Sequence, residues 1–294
     1  MAVANLKLVI FVYISFILFQ LVQNSNIRSS QPCFMLLREG STPHQLGKAR
    51  KFLAANPVFN VLPLGDTYAP LLGVCKLFIA TERSAVTGVC SVYHPFNSKP
   101  SVALSTATLE TKKALLEVAL RRVSGEFMTL CSQDEVEAVK AHATILSLEF
   151  ELQMVANLLT RIKSNVKVSR ARKEDVEELD RFYSEQDSRA WTPLPFKVGP
   201  FYCVKRNGKI VSAAGTHLKT PQIAHLGSIV TSEAYRRQGF AAACTSGLAL
   251  DLASKGRIIS LFVRSDNGPA ISMYEKLGFK KIREIALMRA RKDN

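Results

Sequence analysis

The spacing of apolar and polar residues predicts an alternating series of strands and helices from about residue 44 onwards. In the first part of the chain the predicted helices cover 44–55, 109–121 and 132–144, and the predicted strands cover 74–80, 85–91, 101–106 and 126–131. Ser132 stands three residues before Glu135, which is the spacing of a capping box at a helix start. This series predicts a small α/β domain over residues 35–162.

A second series begins at Val166, after an apolar and then basic segment, 145–163, that we interpret as a crossing or linker. Its predicted strands cover 166–170, 199–205, 209–217, 223–231, 257–263 and 280–289, and its predicted helices cover 173–184, 237–255 and 268–277. Asn207-Gly208 is a strong hairpin signal, whereas the unit 223–263 predicts a right-handed parallel crossover. We therefore predict a second domain over residues 163–294, with a mixed and mainly antiparallel sheet.

The N-terminal extension, residues 1–34, contains a fifteen-residue apolar segment at 8–22 that only Ser15 and Gln20 interrupt. A membrane-spanning helix usually needs about 20 apolar residues. Three interpretations stay open: a short membrane anchor, a secretion signal, or an extension upstream of a functional start nearer Met35.

Composition narrows the class of protein. The chain has 294 residues, of which 47% are apolar, and this is enough to form two domains with sizeable hydrophobic cores. The six cysteines are scattered without metal-ligand spacing, which predicts reduced thiols in a cytoplasmic protein and no metal site. The net charge of +15 favours an anionic partner, or is simply a solvated basic surface. No nucleic-acid-binding motif accompanies the charge.

A basic, glycine-containing turn joins the predicted strand 223–231 to the predicted helix 237–255. A helix start offers unpaired backbone N–H groups and the positive end of the helix dipole, which together suit a pyrophosphate. Gly239 lacks the Cβ that would keep a phosphate away from the backbone. Phe240, Cys244 and Leu248, with Leu252, give the helix a stripe of apolar residues to bury.

A second motif, Asn267 to Phe279, follows an almost wholly apolar strand. Pro269 suits the first turn of a helix, and Gly278 ends it. Tyr274 lies on one face of this helix with Ala270 and Leu277. By itself such a tyrosine is more often a half-buried aromatic than a catalytic residue.

Together the two motifs resemble those of the GNAT superfamily of N-acyltransferases over about residues 166–290. The cofactor loop of that family, Arg/Gln-x-x-Gly-x-Gly/Ala, is matched at Arg236, Gly239 and Ala241, and its later signature is matched at Asn267, Ala270, Tyr274, Gly278 and Phe279. The segment 56–66 is similar, more weakly, to the start of the companion domain in tandem-GNAT proteins related to glycine N-acyltransferase. The resemblance therefore implies a GNAT fold preceded by a degenerate GNAT-like half, in which we expect no second acetyl-CoA site.

The resemblance also implies roles for individual residues. Backbone groups of Ile229, Val230 and Thr231 would pair with the pantetheine arm of acetyl-CoA. Asn267 would contact the same arm, and Tyr274 would protonate the leaving thiolate. The pyrophosphate would be held by the backbone amides of Arg236, Arg237, Gln238, Gly239, Phe240 and Ala241.

The general base and the acceptor are less clear from the sequence. Many family members use a glutamate on the strand before the cofactor loop, and this strand contains no carboxylate. His225 is the best-placed candidate and His217 the second, although a structural, hydrogen-bonded role stays open for both. Acceptor-binding candidates lie in the irregular segment 186–198, at Asp187, Arg189, Trp191 and Phe196.

These residues predict an enzyme that transfers an acetyl or other short acyl group from acyl-CoA to a primary amine. The alternative is a GNAT module that binds acyl-CoA as a sensor without turnover. We expect the basic charge, including Arg236 and Arg237, to concentrate around the cofactor and acceptor cleft. Membrane association through residues 8–22 stays open.

Overall fold

A computed structural model describes residues 35–39, 42–94, 99–106, 108–160, 165–186, 188 and 193–293. The apolar segment 8–22 and the loop residues Asp187, Arg189 and Trp191 lie outside these ranges. Within them, no helix combines the length and the apolarity needed to cross a bilayer. The five cysteines of the described part are free thiols, as the sequence predicts.

Eight α-helices are present in the described part of the chain. Thr42 begins the first with a capping box closed by Gln45, and Ser132 begins the fourth with the predicted capping box to Glu135. The helices are α1 (Pro43–Ala54), α2 (Val61–Asp66), α3 (Leu109–Leu120), α4 (Gln133–Lys140), α5 (Val176–Glu185), α6 (Leu194–Val198), α7 (Phe240–Ala253) and α8 (Gly268–Lys276).

Twelve strands form one continuous sheet, with order β1-β2-β3-β4-β5-β12-β6-β11-β10-β9-β8-β7. Only the pairs β4–β5 and β10–β11 are parallel among the described strands, so the sheet is mixed and mainly antiparallel, as predicted. The strands are β1 (Met35–Glu39), β2 (Cys75–Glu82), β3 (Ala85–Tyr93), β4 (Ser101–Thr106), β5 (Glu126–Cys131), β6 (Ala143–Ala156), β7 (Ser169–Arg170), β8 (Phe201–Arg206), β9 (Lys209–Lys219), β10 (Ile223–Thr231), β11 (Ile258–Arg264) and β12 (Lys280–Lys292).

The two parts of the chain exchange strands at the centre of the sheet. Strand β6, from the first part, lies between β11 and β12, and β12, from the second part, lies between β5 and β6. The linker interpretation of 145–163 was therefore wrong for its first twelve positions, because 145–156 belong to a central strand. The helix predicted over 132–144 likewise ends at Lys140, where β6 is about to begin.

Each layer of helices buries its own core. Helices α3 and α4 cover the strands β2–β5 and β12, and helices α7 and α8 cover β6, β10 and β11. A further core joins the two parts, because Val61 and Leu64 of α2 pack with Leu218 of β9 and Ile223 of β10. Gly65 permits this approach, since a Cβ there would stand 2.8 Å from the Leu218 side chain.

Candidate functional site

A gap opens in the sheet between the parallel strands β10 and β11. The two strands pair from Ile223 to Leu226, opposite Ile258 to Leu261, and then separate. Strand β10 continues to Thr231 and β11 to Arg264. The other edge of β10 stays paired with β9 as far as Thr231. The edge of 227–231 that faces β11 therefore has backbone groups to offer a ligand in extended conformation.

A bulge shapes the same stretch of β10. The register with β9 shifts between Gly227 and Val230, and Ser228 adopts a left-handed φ of 49°. Two side chains hold Ser228 in this conformation: the Tyr183 hydroxyl donates to its carbonyl oxygen at 2.6 Å, and His217 Nε2 lies 2.7 Å from its Oγ. The bulge interrupts strand alternation just before Ile229, the first of the predicted pantetheine-binding residues.

The loop after β10 turns tightly before α7 begins. Arg237 and Gly239 have left-handed φ values of 61° and 78°. Helix α7 therefore starts at Phe240 and not at 237 as predicted, because left-handed residues cannot continue a right-handed helix. The first turn of α7 leaves its amide N–H groups without helical partners. A Cβ at Gly239 would meet nothing within 4 Å, so the space above the loop is open to a phosphate.

Tyr274 of α8 is buried in the core that also contains Phe240 of α7 and Leu261 of β11. Its ring packs edge-on against Phe279, with ring centroids 5.8 Å apart. Burial raises the pKa of the phenol well above its ordinary value, so the group stays protonated. Asn267 caps the same helix by accepting from Ala270 N at 3.2 Å. The cap fixes the start of α8 and so the position of the tyrosine.

His225 is enclosed in the sheet. Its Nδ1 lies 2.9 Å from Ser260 Oγ, and its ring lies 4.5 Å from the Phe262 ring. Burial, with a smaller contribution from the charge of His217, lowers the pKa of His225 to about 3. Burial lowers the pKa of His217 to about 4. A useful base titrates near the working pH, so these environments favour the structural alternative for both histidines.

A carboxylate that the sequence does not single out lies on β6, one strand beyond β11 from the gap. Glu151 of β6 is directly opposite Arg264 at the end of β11, so the two side chains share a face of the sheet. Burial raises the pKa of Glu151 to about 7, and the neighbouring Glu149 adds to the rise while Arg264 opposes it. Period-two alternation of Glu149, Glu151 and Gln153 with apolar residues was the available signal.

The end of β10, the start of α7 and helix α8 share one core, in which Ile229, Phe240 and Tyr274 pack together. Phe196 lies outside this core and packs against Phe201, with ring centroids 5.6 Å apart. Arg236 and Gln238 fold onto the loop itself, bonding the carbonyls of Thr231 and Ala234 at 3.4 Å. In the described part of the chain no group of three His, Cys, Asp or Glu residues could hold a metal ion.

Comparisons with known proteins agree with this geometry. Residues 205–287 match the profile of the FR47-like protein family. No curated protein matches the chain significantly. A structure described as a GNAT-family acetyltransferase from Novosphingobium aromaticivorans is 18% identical, with a TM-score of 0.56 over 70% of this chain and 89% of that one.

Two further structures cover more of this chain. A tandem GNAT protein from the clavulanic acid biosynthesis pathway is 13% identical, with a TM-score of 0.57 over 90% of this chain and 99% of its own. A GCN5-related N-acetyltransferase-like protein from Streptococcus suis is also 13% identical, with a TM-score of 0.57 over 84% and 100%. The sheet gap, the loop and these likenesses identify the chain as a protein of the GNAT fold, similar to acetyltransferases across both of its parts.

Proposed function

We propose that the protein transfers an acetyl or other short acyl group from acyl-CoA to a primary amine. Three features support the proposal: the gap between β10 and β11, the left-handed loop before α7, and Tyr274, which is buried in the same core as Ile229 of β10 and Phe240 of α7. A fold alone does not establish an activity, so the proposal rests on these groups and their geometry.

Binding of the co-substrate uses mainly backbone groups. The free edge at Ile229–Thr231 would pair with the amides of the pantetheine arm, and Asn267 lies at the neighbouring helix start. The amides from Arg236 to Ala241 would surround the pyrophosphate, with the dipole of α7 behind them. The Arg236 and Arg237 guanidinium groups add attraction for the negatively charged phosphates.

The reaction then needs one base and one acid. The amine nitrogen attacks the thioester carbonyl carbon, its excess proton passes to the base, and the C–S bond breaks as the amide forms. Tyr274 would give its phenolic proton to the departing sulfur. Glu151 would accept the amine proton through water, since its strand lies one strand spacing, about 4.8 Å, beyond β11.

A binding module without turnover is the alternative function. Such a module would bind acetyl-CoA with the same loop but would have no need of a proton donor. Measurement of turnover distinguishes the two functions. An enzyme that uses acyl-CoA must be where acyl-CoA is present, which favours the cytoplasmic location that the sequence predicts.

The test compares two glycines with the same backbone demand. Gly239 and Gly125 have φ values of 78° and 71°, and a Cβ at either would meet nothing within 4 Å. Gly125 lies just before β5, and β12 and β6 separate β5 from β11 and the gap. We expect Gly239→Trp to abolish acetyl-CoA binding in calorimetry and Gly125→Trp to leave it intact. Equal acetyl-CoA affinity in the two folded variants would refute the proposed binding site.

Turnover is measured separately. Purified protein is incubated with acetyl-CoA and a panel of primary amines, and free thiol is followed. Thiol release that depends on one class of amine supports transfer. Tight acetyl-CoA binding with no amine-dependent thiol release across the panel would favour the module without turnover.

A further inference from the structure

A strongly basic pocket lies at the end of the sheet opposite the gap. Its volume is about 450 Å³, and it is formed where β8 and β11 begin and where β9 and α7 end. Helix α7 has 14 residues, so about 20 Å of helix separates this pocket from the loop at Gly239. The pocket is therefore distinct from the proposed acyl-CoA site.

Seven cationic side chains line this pocket, and none of its described lining residues is acidic. They come from four separate segments of the chain, which the fold brings together. The seven are Arg170, Arg172, Lys173, Lys197, Lys219, Lys255 and Arg257. The sequence predicts that the basic charge concentrates around the cofactor and acceptor cleft. This cluster of cations instead lies at the other end of the sheet.

The cations are poorly neutralised by the protein itself. In the described part of the chain, Asp251 forms ion pairs with two of them, at 2.7 Å from Lys255 and 4.0 Å from Arg170, and the charge of Asp175 acts on Arg172. Burial lowers the pKa of Lys219, and the charges of Arg257, Lys255 and Arg170 lower it further. Holding like charges this close costs free energy unless an anion offsets it.

Paired strands or a hydrogen bond fix the positions of several of these cationic residues. Arg170 belongs to β7 and Lys219 to β9, and both strands are paired in the sheet. Arg257 immediately precedes β11, and its Nε donates to the Thr220 carbonyl oxygen at 2.9 Å. A preorganised group loses less conformational entropy when a ligand binds than a free surface side chain does.

We propose that this pocket binds a small soluble anion that carries clustered phosphates. Two features argue for phosphate over a single carboxylate. Several cations converge on one concavity, so a ligand with several negative charges is needed to balance them. Arginine also matches phosphate oxygens with paired N–H donors, and a pocket of this volume suits a small molecule.

Inorganic tripolyphosphate is the probe, and calorimetry with the full chain is the measurement. Binding should persist when acetyl-CoA saturates the other site, and should survive Gly239→Trp. The double variant Lys219→Gln/Arg257→Gln should weaken binding at least about tenfold, since it removes two charged hydrogen-bonding partners. Raising the salt concentration should weaken binding in the native chain.

Control variants distinguish binding in this pocket from nonspecific attraction of an anion to a basic protein. Lys51→Gln/Lys113→Gln removes the same charge from two exposed positions in the other part of the chain and should leave the affinity unchanged. A second pocket variant, Lys173→Gln/Lys197→Gln, changes only exposed side chains and guards against misfolding. Melting temperatures verify that each variant is folded.

Four results would overturn the proposal. These are unchanged affinity in both folded pocket variants, an equal loss in the Lys51/Lys113 control, displacement of tripolyphosphate by acetyl-CoA, and equal or tighter binding of citrate, which carries carboxylates only. None of these outcomes depends on whether the chain transfers acyl groups, so this inference and the proposed function can fail independently.

Discussion

Burial keeps the proton on Tyr274 and also makes the phenolate left by acid catalysis costly, so the proposed role of Tyr274 rests on its position. A phenol in the core cannot ionise easily, because the phenolate would lose its hydration. The raised pKa keeps the proton on the oxygen through the whole range in which an amine acceptor would react. The same burial fixes the ring, which packs on Phe279 and has few orientations available.

We expect Tyr274→Phe to lower kcat about 10²- to 10⁴-fold, because a positioned acid contributes that much when a thiolate leaves. The dissociation constant of acetyl-CoA should hardly change, since the ring and its packing remain. Steady-state kinetics and calorimetry on the same preparation measure both. A variant with native kcat would make Tyr274 a packing residue only.

The general base is tested by the pH dependence of kcat/KM. A base must be unprotonated, so activity should fall as the pH drops below the pKa of Glu151, about 7. Glu151→Gln should remove this acidic limb along with most of the activity. His225→Ala should retain the limb, because the pKa of His225, about 3, lies well below it. If the histidine variant loses the limb and the glutamine variant keeps it, the assignment is reversed.

Residue types and spacing predict a co-substrate site from Arg236 to Ala241 and at Tyr274, since those groups lie on one continuous unit of the chain, and the assignment stays a prediction. They did not predict Glu151. Its place beside Arg264 depends on the pairing of β6 with β11, and these strands are far apart in the sequence. Local patterns carry no information on such a pairing.

At the scale of single elements, most boundaries followed from local signals. The strand β10 was predicted with its observed bounds, and the strand β5 as well. The start of α7 was misplaced by three residues, because left-handed φ values at Arg237 and Gly239 are a property of the folded loop. Strand β6 was missed although polar residues alternate with apolar ones up to Met154, because the strand ends in a buried apolar run, Met154–Ala156, that does not alternate.

Helix α2 carries a buried acid that makes stability depend on pH. Asp66 accepts a hydrogen bond from Ser91, yet burial raises the pKa of its carboxyl from 3.8 to about 6. The folded protein therefore holds this proton more tightly than the unfolded chain. The stability from this group is fully present below about pH 3.8 and is lost as the pH rises through about 6.

Asp66→Asn should remove this dependence, because asparagine keeps an acceptor for Ser91 and carries no charge. We compare the free energy of unfolding of the native protein with that of the variant, and the native value should fall by about 2.5 kcal/mol relative to the variant between pH 4 and pH above 7. Denaturant titrations at pH 4, 5.5 and 7.5 measure the difference. The exposed Glu275→Gln serves as the control, and a pH-independent gap between native and Asp66→Asn would contradict the assignment.

At the scale of the whole molecule, the exchanged strands make two similar parts into one unit. Neither part closes its own sheet: β12 fills the space between β5 and β6, and β6 fills the space between β11 and β12. The core beneath α2 adds contacts between the parts. The domain boundary predicted after residue 162 stays a prediction. The sheet itself contains strands from both sides of that residue.

We expect a single unfolding transition. Leu115→Ala in α3 and Leu248→Ala in α7 each remove a fully buried side chain and should each cost about 2 to 5 kcal/mol. Both should lower the same melting temperature and increase hydrogen exchange in both parts. Leu109→Ala, at a half-exposed position, should have little effect. Two separate calorimetric transitions, each sensitive to one variant, would show independent folding.

The strand exchange also sets an order of events during synthesis. When β6 leaves the ribosome, the place beside β5 stays open until β12 has been translated, over a hundred residues later. At ordinary elongation rates that wait is roughly ten seconds, during which two strand edges stay unpaired. Nascent chains of this protein should therefore bind chaperones that recognise extended, apolar segments, and should release them only after β12 has emerged.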